Sequence, residues 1–220
     1  VYAQTEQSPY PPQLKSVSVD PATNDVLLRW HIRLSPTSTI DHLVARKLEN
    51  PRTQPTPIND PIGPAIPFPD SSVVIPHSAG TKADSAQQAF CLTAHPVNPL
   101  VNPSMLSNFH FTVFLKTSID TCNARTVLKW TRYRSTNADL VELPTEHRPF
   151  TAAVEYEVWG YQGDPPFNQS LAVQLSQRTK DTVFQSQTQE KGKNYYDFIK
   201  AYMPQHEDLL PYGPEVSFSN

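Results

Sequence analysis

Apolar and polar residues alternate along the chain in short runs, and two of these runs are alike. Val26-Leu27-Leu28-Arg29-Trp30 and Thr126-Val127-Leu128-Lys129-Trp130 share the order apolar, Leu, basic, Trp, one hundred residues apart. Side chains two positions apart on a strand share a face, so Leu28 lies with Trp30 and Leu128 with Trp130. Each copy is followed by a second extended apolar stretch and then by a strand ending in alanine. A repeat of that length is about one domain, which predicts two tandem units.

The remaining runs fill in both units. From Val17 the stretch Gln13 to Asp20 alternates at period two, which predicts a half-buried strand, and Pro21 to Asp25 is turn chemistry. Ile40 to Leu48 reads as a strand with Leu43 and Ala45 on one face. Residues 51–70 hold seven prolines, so an irregular insertion over a sheet edge is expected there, with a mobile loop as the alternative. Ser72 to Ile75 is a short strand. Gln88 to Ala94 places Phe90, Leu92 and Ala94 on one face and Cys91 on the other, and Phe109 to Leu115 closes the unit. Residues 116–123 contain neither Gly nor Pro and read as a short joint that holds the units close.

In the second half, Ala153 to Trp159 alternates with Val154, Tyr156 and Val158 inward, and Leu171 to Leu175 and Thr182 to Phe184 are further strands. Asn194 to Tyr202 puts Tyr195, Ile199 and Ala201 on one face. Asp197 shares it, which calls for a bulge or another register. Glu215 to Phe218 is the closing strand.

Composition narrows the class. Only 6 Gly but 23 Pro in 220 residues disfavour long helices and fit short strands joined by Pro-rich turns. The fold expected is all-β: two tandem β-sandwiches, residues 13–117 and 118–220, after a polar lead-in over 1–12. The formal net charge of −3 argues against nucleic acid as a partner. No apolar run approaches the ~20 residues that span a bilayer. The polar start from Val1 resembles the stub left by signal-peptide cleavage.

The residues that carry the pattern also resemble a known family. Pro11-Pro12-Gln13-Leu14-Lys15-Ser16-Val17-Ser18-Val19, then Leu28-x-Trp30, then Phe90-x-Leu92-x-Ala94, resembles a fibronectin type III domain. Leu128-x-Trp130, Tyr156-x-Val158 and Ile199-x-Ala201 resemble the same pattern, without a second Pro-Pro opening. More narrowly, Cys122 to Tyr133 and Tyr156 to Tyr161 resemble the tandem fibronectin III-like region of secreted or surface proteins of the Bacteroidetes, many of which carry a gliding-motility-associated sorting domain. The resemblance implies the immunoglobulin-like form of the β-sandwich, and an exported, non-enzymatic protein outside a Gram-negative cell, without a cofactor, acting in adhesion or scaffolding through protein or glycan contacts. In that group Asp, then Ser or Thr, then a small or apolar residue marks O-glycosylation, which implies Ser85 and Thr182 as acceptors.

Candidate chemistry is sparse. Trp30 and Trp130 read as core. Trp159 is out of phase with Val158 and Tyr161 shares its face, while Phe167 follows a Gly-Asp-Pro-Pro turn, so these three make the candidate ligand surface. They would suit a protein partner, or the sugar rings bound by a carbohydrate-binding accessory module of a polysaccharide-utilisation system. A third reading is a receptor-like ectodomain that binds at the elbow near Lys116 and Asp120. Cys91 and Cys122 permit one disulfide, which would tie the joint to the first unit. The seven histidines form no metal-ligand spacing; His206-Glu207-Asp208 is the densest polar cluster. Glu155 and Glu157 share an outer face and read as solvated rather than as a catalytic pair. Nucleophile and phosphate-loop motifs are lacking. Asn168-Gln169-Ser170 is an N-glycan sequon if the source is eukaryotic.

Overall fold

The computed structural model describes residues 6–48, 61–123, 125–136, 154–186 and 193–203, and the backbone of 215–219. The expected His206-Glu207-Asp208 cluster and the insertion up to residue 60 lie outside the described residues.

Among the described residues the chain is built of antiparallel strands, with 3-10 turns at His77–Ala79 and Gln169–Leu171. The first unit has β1 (Gln13–Val19), β2 (Val26–His31), β3 (Ile40–Leu48), β4 (Ile66–Pro67), β5 (Ser72–Ile75), β6 (Ala89–Pro96) and β7 (Phe109–Phe111). The second has β8 (Leu115–Asp120), β9 (Arg125–Trp130), a short extra strand β10 (Arg134–Thr136), then β11 (Glu155–Gln162), β12 (Val173–Gln174), β13 (Val183–Gln185), β14 (Tyr195–Met203) and β15 (Glu215–Ser219). Sheet order is the same in both once β10 is set aside. β1-β2-β5 faces β4-β3-β6-β7, and β8-β9-β13 faces β12-β11-β14-β15. The architecture is two fibronectin type III-like sandwiches in tandem.

The alternation in sequence accounts for the cores. Leu28, Trp30, Leu43, Ala45, Phe90 and Leu92 pack in one cluster, and Leu128, Trp130, Tyr156, Val158, Ile199 and Ala201 in another. The Trp130 and Tyr156 rings meet edge to face at 5.8 Å. The described part of the proline-rich stretch, 61–70, keeps to the sheet edge as its composition requires: Pro61 bridges to Arg46, β4 pairs with β3 at the end of its sheet, and Ile62 and Ile66 reach the core.

The junction departs from expectation. β8 pairs with β9 along its whole length, so residues 116–120 belong to the second unit's sheet. The chain crosses between units at 112–114, upstream of the joint expected at 116–123, and the boundary expected at 117/118 falls inside β8. Val113 and Leu115 already point into the second core, which fixes the crossing there. β10 then returns and pairs with β7, as a fifth strand on the first unit's sheet. Tyr133, the residue just before it, is buried against the second core. The Tyr133 hydroxyl accepts the Val17 N–H at 2.9 Å and bonds His110 Nδ1, while its own N–H donates to the Tyr156 hydroxyl at 2.9 Å. Asn108 completes the seam: its amide exchanges two hydrogen bonds with the Leu14 backbone and donates to Ser135 Oγ at 3.1 Å. With Tyr133 bonded to its backbone and β15 running alongside, β1 is buried on both faces, not half-buried as its alternation predicts.

Candidate functional site

β11 and β14 pair without a register shift, from Glu155 opposite Tyr202 to Gln162 opposite Tyr195. That register decides which side chains share the outer face of the second sandwich. Trp159 stands opposite Phe198, Tyr161 opposite Tyr196, and Glu157 opposite Lys200. Asp197 therefore sits on the inner face without a bulge, opposite Gly160. A Cβ at Gly160 would lie 2.8 Å from Leu175 and 3.0 Å from the Asp197 carboxylate, so a larger residue would have to push these side chains aside. Burial pushes the Asp197 carboxyl up to about 6.

The outer face holds a connected row of charges and rings. The Lys200 ammonium lies over the Trp159 ring, 3.3 Å from its centroid, and the Arg178 guanidinium lies over the Tyr202 ring at 3.8 Å. Glu157 ties them together. Its carboxylate accepts hydrogen bonds from Trp159 Nε1 at 3.0 Å, the Tyr202 hydroxyl at 2.7 Å and Arg178 Nε at 3.1 Å. Glu157 is buried rather than solvated as its outer-face position implies, because the neighbouring rings cover it. Burial pushes its carboxyl up, but the three hydrogen bonds and the Arg178 charge outweigh this, and the net shift is downward. Burial pulls the Lys200 ammonium below its ordinary range, with Glu157 opposing.

Beyond Trp159 the row becomes wholly aromatic. The structure puts Trp159 and Tyr161 on one face, as their phase predicts, and the loop after β11 brings Phe167 onto it. Phe167 meets Tyr161, Tyr196 and Phe198 at centroid distances of 5.7 Å each. Tyr161 folds back over Gly163, where a Cβ would stand 2.6 Å from the ring carbon bearing the hydroxyl. Phe198 is buried, and Trp159, Tyr161, Phe167 and Tyr196 are half-buried. The sequence reading missed Phe198, Lys200, Tyr202 and Arg178. A signal for the first three was present: Tyr196, Phe198, Lys200 and Tyr202 alternate out of phase with the inward Ile199 and Ala201. Nothing local marks Arg178.

The other candidates lie apart from this face. Ser85 is exposed in a turn; Thr182 is half-buried, with its carbonyl accepting the Trp130 N–H. Cys91 and Cys122 are both free, so the disulfide that their number permits is not formed in this structure. Cys91 does lie on the outer side of β6, but Leu48, Ala89, Phe109 and Phe111 enclose it. Burial pushes its thiol up to about 12, with Arg46 opposing. Cys122 is exposed in the turn after β8, a full strand beyond the crossing. At the elbow, Lys116 pairs across from Lys129, and the Asp120 carboxylate accepts from its own turn, at Asn123 Nδ2 and the Cys122 and Asn123 N–H groups. A cavity of about 220 Å3 lies between the units, lined by Asp20, Asp25, Leu27, Arg29, Val74 and Gln169 among others. Among the described residues no three His, Cys, Asp or Glu side chains converge as a metal site needs.

No family model and no curated protein matches the chain. Among solved structures it is similar to the FN1–FN3 domains of chicken CNTN1, at 10% identity over 98% of this chain and 69% of that one, with a TM-score of 0.35. It is also similar to a two-fibronectin type III domain segment from chicken tenascin, at 16% identity over 94% and 98%, with a TM-score of 0.32. The fold assignment stands on the strand order of the chain itself: two fibronectin type III-like sandwiches.

Proposed function

We propose that the chain is a non-enzymatic, exported binding module whose two sandwiches are held as a fixed pair, and that it presents the outer face of β11 and β14 to a protein partner at a cell surface. The observation that supports this reading is the row from Arg178 through Glu157, Lys200 and Trp159 to Tyr161 and Phe167. Aromatic rings and long cations on a sheet offer large contact area at low conformational cost, because their strands already fix them. The carboxylate at the centre leaves no uncompensated buried charge.

A protein partner fits this face better than a flat sugar. A sugar platform needs a bare ring face, and the Lys200 ammonium already covers one face of Trp159 while Glu157 takes the indole N–H. The carbohydrate reading retains the half-buried rings of Tyr161, Phe167 and Tyr196. The elbow reading loses support, since Asp120 is tied into its own turn.

Binding of the labelled chain to intact cells tests the proposal, with a glycan array run in parallel. Lys200→Glu and Tyr161→Ala are expected to cut cell binding at least tenfold with the unfolding midpoint of Tyr161→Ala little changed. Glycan binding abolished by Phe167→Ala would replace the protein reading with the carbohydrate one. Full binding by both variants would remove this face from consideration.

A further inference from the structure

The loop between β11 and β12 carries a feature that the docking reading leaves unused. Asn168-Gln169-Ser170 is the only Asn-x-Ser/Thr triplet in the sequence besides Asn102-Pro103-Ser104, whose middle proline disqualifies it. Asn168, Gln169 and Ser170 are all exposed. The Asn168 side-chain oxygen accepts the Ser170 hydroxyl at 2.7 Å and the Ser170 N–H at 3.1 Å. Both bonds fall on the carbonyl end of the amide, so the Asn168 Nδ2 end is turned away from them. The hydroxyl at the third position is thus already set against the amide that would react.

We propose that Asn168 is an N-glycosylation site. The donor would be a lipid-linked oligosaccharide diphosphate, acted on by an oligosaccharyltransferase. Asn168 Nδ2 attacks the anomeric carbon and the new N–C bond replaces the C–O bond to the diphosphate. The lipid diphosphate leaves with that electron pair, and the proton lost from Nδ2 passes to a base of the transferase. No redox change occurs. The surroundings suit a bound sugar. The half-buried Phe167 ring precedes the acceptor, and Leu171 and Val173, each 61% exposed, follow it. Together they offer apolar surface to the C–H face of the first residue of the glycan. Phe167 belongs to the aromatic face and Gln169 lines the inter-unit cavity. A glycan at Asn168 therefore stands between the two and limits approach to both. The inference is independent of whether the aromatic face binds a partner.

The test is the intact mass of the full chain, directed through the secretory pathway of cultured animal cells and recovered from the medium beside a co-secreted reference glycoprotein. The expected result is an oligosaccharide mass increment removed by peptide N-glycosidase. That enzyme would leave Asp in place of Asn168, read by peptide mapping. Asn168→Gln and Ser170→Ala abolish the increment, and Ser170→Thr retains it. A chain that reaches the medium unmodified while the reference is glycosylated would overturn the proposal, as would an increment that survives Asn168→Gln.

Discussion

At the scale of single residues, two carboxylates on opposite faces of one sheet respond to pH with opposite sign. Glu157 is held below its ordinary range, so its contribution is present at neutral pH and is lost as pH falls through the folded value. Asp197 is the reverse. Its folded value of about 6 exceeds the ordinary 3.8, so the native state binds the extra proton between them. Its contribution is complete below 3.8 and disappears as pH rises through about 6. Asp197→Asn is therefore expected to match the parent at pH 4 and to exceed it at pH 7, by on the order of 2 kcal/mol. Urea unfolding at the two pH values reads this directly. An equal difference at both would mean that the carboxyl is not titrating against burial.

At the scale of elements, the short strand β10 is the unusual piece. Three residues pairing with β7 cannot hold two domains by themselves, and the buried side chains beside them share the task. Tyr133 reaches from the second core to the Val17 backbone and His110 in the first. His110 is fully buried, and burial pulls it down to about 3 against an opposing hydrogen bond with the Leu14 backbone. The imidazole is therefore neutral and shares a hydrogen bond with the Tyr133 hydroxyl through Nδ1. Tyr133→Phe would strip one buried N–H and one buried ring nitrogen of their partner. The expected cost is about 1–3 kcal/mol, measured by the shift of the urea midpoint at unchanged slope. An unchanged midpoint would show that the hydroxyl adds nothing to the seam.

At the scale of the whole molecule, the units were legible in sequence and their seam was not. Leu28 with Trp30 and Leu128 with Trp130 announce two cores because strand alternation is local, and the same logic placed Trp159 and Tyr161 on an outer face. What alternation cannot encode is which strand lies next to which. The pairing of β11 with β14 brings Lys200 onto Trp159, and the return of β10 to β7 joins the two units. Both depend on contacts between residues far apart in sequence. Cys91 illustrates the limit: its phase was read correctly as outward, but Phe109 and Phe111 on the adjacent strand cover it. Asp197 illustrates another, since its inward position is set by the register with Gly160 on the opposing strand, 37 residues earlier in the chain.

A fixed pair of sandwiches with one prepared face makes a positional claim about binding. A photo-reactive benzophenone amino acid placed at Tyr161, or at Lys116 on the exposed strand β8, tests it in the full chain on intact cells of the source organism. The account predicts a discrete covalent adduct to a cell-surface protein from position 161, competed away by excess unlabelled chain and not by its Lys200→Glu variant, with no such adduct from position 116. An adduct from position 116 alone, or one from 161 that the Lys200→Glu variant competes away as well as the parent, would contradict it.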